Sequence, residues 1–95
     1  MALRFTPAAR RDLDSIWDAT VDRWGTEQAV TYLTALKDRC TALTGDPRLS
    51  RSADHLAPGL CRTLSGRHVI YHRRTESDVI VIRILHQRMD PDLHL

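Results

Sequence analysis

Ninety-five residues, 42% apolar and 27% charged with a net charge of +2, describe one small folded domain, residues 1–95, near the lower size limit for a chain without staples. That make-up excludes a disordered chain. No apolar run approaches the ~20 residues of a membrane span, and Met1–Phe5 has no secretory pattern, so cytoplasmic residence away from membranes is the expectation. Cys40 and Cys61 are too few for a disulfide framework and are both expected as buried small side chains.

Leu3–Phe5 suits a short edge strand. Thr6–Pro7 then predicts a helix start, with Thr6 as the N-cap and Pro7 in the first turn. Leu13, Ile16, Trp17, Thr20, Val21 and Trp24 mark one helical face, while Asp12, Asp14, Asp18 and Asp22 are assigned largely to the other. Gly25 closes this helix and Thr26 opens a second, so the two form an antiparallel hairpin over about residues 7–45, with both tryptophans packed inside it. The second helix has the clearest period in the chain, Ala29, Leu33, Leu36, Cys40 and Leu43, until Gly45 and Pro47 end it.

Arg48–Gly59 carries no period and reads as a loop. Three strands follow over about residues 60–86: Leu60–Ser65, His68–Arg74 after a Gly66–Arg67 turn, and Val79–His86 after Thr75–Asp78. Residues 87–95 form a polar tail of undefined structure. The order β-α-α-β-β-β is an α+β fold, a helical hairpin on one face of a small antiparallel sheet. Period-two alternation puts Ile80, Ile82 and Ile84 toward the helices, and Val81, Arg83 and Leu85 on an open side.

Charge is unevenly spread. Residues 1–47 hold six Arg/Lys against seven Asp/Glu; residues 48–95 hold eight Arg against five Asp/Glu, with no lysine. Arginine suits bidentate contact with carboxylate or phosphate. Arg62, between Leu60 and Leu64, echoes Arg83 within its apolar strand. If both stand on the open face, they form a mixed apolar and cationic surface for a partner to cover. Tyr71, Arg73 and Val69 share a face of the middle strand. His68 and His72 lie ~13 Å apart along that strand, too far to ligate one ion, and no other spacing calls for a metal or cofactor. His86 is the histidine placed for acid–base work, with Arg88 just beyond it. The residues alone leave a protein-binding module, an RNA-cleaving domain and a nucleic-acid binder open.

The joint order of A-R-R-D-L-D-S-I-W (9–17), W-G-T-E-Q-A (24–29), Y-L-T-A-L (32–36), D-P-R-L-S-R (46–51), H-V-I-Y (68–71) and V-I-R-I-L-H-Q-R-M-D (81–90) resembles the ParE branch of the RelE/ParE toxin superfamily, from Pro7 to Asp90. The resemblance implies the toxin of a type II toxin–antitoxin pair used in plasmid maintenance or stress response. Its target would be DNA gyrase, poisoned rather than chemically altered, and its inhibitor a ParD-like antitoxin that also carries the complex to operator DNA. Leu60, Arg62, Leu64, Tyr71, Arg73, Arg83, Leu85, His86 and Arg88 are then the expected antitoxin- or target-binding residues. The RelE branch instead implies a metal-independent, ribosome-dependent mRNA endoribonuclease, with Arg62, Arg83 and His86 at the scissile phosphate. Absence of lysine from the second half and of an aromatic residue after Arg83 departs from that pattern. A non-toxic co-repressor partner is the third reading.

Overall fold

The computed structural model describes residues 1–95, and its elements follow the expected order with three short additions. Strand β1 (Ala2–Phe5) leads into helices α1 (Pro7–Trp24) and α2 (Thr26–Ala42). A two-residue strand β2 (Arg51–Ser52) precedes β3 (Cys61–Ser65), β4 (His68–Arg74) and β5 (Asp78–His86). One-turn 3-10 helices occupy Pro47–Leu49 and Pro91–Leu93. The five strands run β1-β5-β4-β3-β2, and the sheet is mixed, because β1 joins β5 in parallel while the other pairs are antiparallel. The helical hairpin supplies the long connection that a parallel partner for β5 requires. No helix is long and apolar enough to cross a membrane.

Local chemistry explains the helix ends. The Thr6 side chain accepts the Ala9 N–H, with Pro7 beginning the helix. Gly25, at φ 90°, ends α1 and starts α2 at a backbone angle that side chains disfavour. Arg74 donates to the Leu43 carbonyl at the end of α2, where the carbonyls lack helical partners.

Two apolar clusters divide the sheet. The larger one lies under the hairpin and joins Ile16, Leu33, Leu36, Cys40 and Leu43 to Ile70, Val79, Val81 and Ile84. All five positions of the α2 seam are buried, as their 4-3-4-3 spacing predicts. Burial pushes the Cys40 thiol up to about 11, so it acts as a small apolar group. Cys61, by contrast, is only partly buried. Trp17 packs against this core, but Trp24 is 62% exposed rather than inside the hairpin, because Gly25 ends the helix just after it.

The smaller cluster corrects the expected open face. Ala53, Leu60, Val69, Tyr71 and Leu85 are buried together on the other side of the sheet, beneath Leu56 and Ala57. The Ala53 N–H donates to the Leu60 carbonyl at 2.8 Å, and the Gly59 N–H donates to Asp54 Oδ1 at 2.8 Å. Arg73 clasps this loop by donating to the Pro58 carbonyl. The segment is therefore a folded cover for apolar side chains that the chain does not leave to a partner.

A β-bulge also overturns the assigned faces of β5. Tyr71 pairs with Arg83 but His72 pairs with Val81, leaving Ile82 as an extra residue. One inserted residue shifts the two-residue phase by one. Val79 and Val81 face the helices before the bulge, and Ile84 faces them after it. Ile82 instead packs against the smaller cluster, and Ile80 belongs to neither buried set.

Candidate functional site

The structure separates the nine residues expected to bind a partner. Leu60, Tyr71 and Leu85 are interior, and Arg73 holds the covering loop. Arg62 and Leu64 are exposed on the outer face, where Arg62 pairs with Tyr71 and stands opposite Arg51. Two directly opposed arginines repel, which leaves a small cationic edge. Burial raises the Tyr71 phenol while the neighbouring Arg62 charge opposes that rise.

Arg83 is internally engaged. Its Nε donates to Asp12 Oδ2 at 2.7 Å and its Nη2 to Asp12 Oδ1 at 2.8 Å, a bidentate pair. Its Nη1 donates to the His94 carbonyl at 2.6 Å, so all three nitrogens are used. Asp12 Oδ2 also accepts the Ile84 N–H at 2.9 Å, where β5 runs on past the end of β1. Asp12 therefore sits at the border of the helix's apolar stripe rather than on its solvent side. The pattern grouped it with Asp14, Asp18 and Asp22 on the polar face, but Asp12 and Ile16 are one turn apart on the same side.

His86 lies elsewhere, at a groove of about 690 Å³ formed by α1, the start of α2, the β3–β4 turn and the end of β5, and Arg88 is not among the residues that line it. Ile16, Trp24 and Met89 give it apolar walls, while Arg23 and Arg67 supply cations and His68 and His86 lie deeper. Paired across β4 and β5, the two imidazoles meet edge to face with centroids 5.3 Å apart. The Tyr32 hydroxyl lies 2.6 Å from His68 Nδ1 and accepts the Arg67 N–H at 3.0 Å. A β-carbon at Gly66 would come within 2.7 Å of that hydroxyl, so the turn needs glycine for closeness as well as for its φ of 56°.

Burial, the nearby His86 and, in the opposite direction, Asp12 leave His68 with a pKa of about 4. A neutral His68 and the Tyr32 hydroxyl thus share one hydrogen bond through Nδ1. His72 is buried on the core side, bonding the Ile70 carbonyl through Nδ1 and Ser50 through Nε2. Its burial likewise lowers its pKa. Arg88 contributes only a backbone N–H to His86 Nδ1, at 3.1 Å, and its side chain is exposed. Tyr32 and Arg67 were invisible to strand and helix periodicity, because a groove between distant elements leaves no local spacing, and Trp24 was read on the periodic face but assigned to the hairpin interior.

With this geometry in hand, comparison with known proteins narrows the class. The family model described as the ParE toxin of the type II toxin–antitoxin system parDE matches residues 3–91. The chain is 42% identical over 91 residues to Toxin ParE1 of Mycobacterium tuberculosis, covering 95% of this chain and 93% of that one. It is 36% identical over 92 residues to Toxin ParE1 of Caulobacter vibrioides, covering 97% and 95%. Among solved structures, a chain of the chromosomal ParDE system from P. aeruginosa superposes with a TM-score of 0.79 at 22% identity, over 90% of this chain and 95% of that one. A chain of the RelBE2 toxin–antitoxin complex from Mycobacterium tuberculosis gives 0.68 at 21% identity with the same coverage. Both share the fold.

Proposed function

Since this chain belongs to the ParE toxin family, and is thereby the toxin of a ParDE-type toxin–antitoxin system, we propose that it poisons DNA gyrase and is held inactive by a ParD-like antitoxin. The observation that carries the reading is the near-complete match to curated ParE toxins, 42% identical at the highest level given above. The toxin acts by occupying its target rather than by transforming a substrate, in the cytoplasm, and reaches operator DNA only through the antitoxin.

The arrangement of the arginines supports this over RNA cleavage. A ribonuclease reading needs Arg62, Arg83 and His86 around one phosphate, with free guanidinium donors for the charge that builds there. Arg83 has every nitrogen engaged by Asp12 and His94. Arg62 stands on the outer face, and His86 lines the groove on the helical side. The three do not converge.

Producing the toxin with and without the antitoxin encoded beside it, and assaying purified gyrase and a translating ribosome in parallel, tests the proposal. Inhibited supercoiling, relieved by the antitoxin, with intact mRNA is the expected result. Cut mRNA with unaffected gyrase replaces the reading with the ribonuclease one.

A further inference from the structure

We propose that the groove between α1 and the β3–β4 turn is the seat of an acidic amphipathic segment of the antitoxin, and that Arg23 and Arg67 decide which antitoxin is accepted. The inference rests on the toxin–antitoxin reading and adds to it a place, a chemistry and two specificity residues.

Charge accounting identifies the occupant. Three ion pairs exist in the protein: Arg4 with Asp78, Arg48 with Asp46, and Arg83 with Asp12. Arg23 and Arg67 line the groove and belong to none of them. The one carboxylate in the groove wall, Asp12, is consumed by Arg83 and the Ile84 N–H. Neither histidine in the groove offsets this, because an imidazole carries no negative charge. The groove thus presents cations without counter-charges, and a partner must bring the carboxylates.

The apolar half of the site fits the same occupant. Trp24 is 62% exposed and Met89 38% exposed, both at the groove. A partly desolvated tryptophan beside a free arginine is the type of anchor that dominates interface energetics. Arg23 already lies over the Trp24 ring, its guanidinium carbon 5.7 Å from the centroid. That contact keeps an unpaired guanidinium beside the exposed indole, within reach of a partner's carboxylate. An apolar side chain on Trp24, Ile16 and Met89, flanked by Asp or Glu at Arg23 and Arg67, satisfies both halves together. A basic segment would meet two unpaired cations and be rejected.

The experiment uses the full-length toxin carrying Trp17→Phe and labelled with fluorotryptophan, so that Trp24 gives a single fluorine NMR resonance. The probe is the unlabelled antitoxin encoded beside the toxin gene. Binding should move the Trp24 resonance, and Arg23→Glu/Arg67→Glu should weaken the complex roughly tenfold or more, with a smaller loss of its salt-sensitive association for Arg23→Gln/Arg67→Gln. Both positions are exposed, and an unchanged circular dichroism spectrum and thermal midpoint of the free variants establish that they fold. A complex that forms with Trp24 unmoved, or with both variants binding as the parent does, overturns the groove assignment and leaves the toxin reading standing. A Trp24 resonance moved by gyrase and not by the antitoxin also overturns it, giving the groove to the target. Absence of any toxin–antitoxin complex overturns both.

Discussion

Asp12 and Arg83, 71 residues apart in the chain, form the only ion pair that joins a helix to the sheet. Their side chains are 13% and 22% exposed, and the carboxylate also closes the free edge of β5 at Ile84. One interaction thus fixes α1, β5 and the chain end at His94, and it removes Arg83 from the working surface.

Asp12→Asn should therefore cost about 2–3 kcal/mol of stability, because it leaves a partly buried guanidinium without its counter-charge. Urea unfolding measures this. Arg83→Ala should fall in the same range, and the double variant should lose much less than the sum of the two. Losses below about 0.5 kcal/mol for Asp12→Asn contradict the clamp.

The bulge at Ile82 makes a pattern of substitutions diagnostic. Val79→Ala and Val81→Ala should each cost about 1–3 kcal/mol, since both side chains are fully buried under the hairpin. Ile80→Ala, in neither cluster, should cost about 1 kcal/mol or less. Unfolding measurements giving the reverse order restore the unbroken alternation.

The covered outer face separates two leucines. Leu85→Ala should cost about 2–4 kcal/mol, because Leu85 is buried against Leu60 and Tyr71. Leu64→Ala should stay within about 0.5 kcal/mol, its side chain being largely in water. Equal effects contradict the assignment of Ala53–Leu60 as a cover.

Half-buried His68 and buried His72 set a pH dependence. His68 titrates near 4 in the fold against an ordinary 6.5, so the unfolded chain takes up its proton first as pH falls. Its contribution is present above pH 6.5 and is lost progressively down to about pH 4. His72, lowered by burial, acts in the same direction. Thermal unfolding of His68→Gln should lose stability less steeply than the parent across that window, and parallel slopes contradict the account.

Much of the architecture was legible because its signals are local. Thr6, Pro7 and Gly25 mark helix ends, and the α2 seam repeats every three or four residues. What escaped depends on contacts between distant segments. The bulge at Ile82 is an insertion relative to β4, and no pattern within β5 reports it. The parallel pairing of β1 with β5 is likewise a choice of partner, not of local conformation. A usable clue was present in Ala53, Leu56 and Ala57, whose spacing is one turn of an apolar stripe, though the surrounding Pro and Gly masked it. At the candidate site, His86 was anticipated, while its neighbours Tyr32, His68 and Arg67 converge only through tertiary folding.

Gyrase itself provides the most direct test of the central claim. Purified toxin should stop supercoiling of relaxed plasmid by gyrase and trap the enzyme on cleaved DNA, and an equimolar antitoxin should restore the reaction. Full supercoiling at saturating toxin would contradict the account.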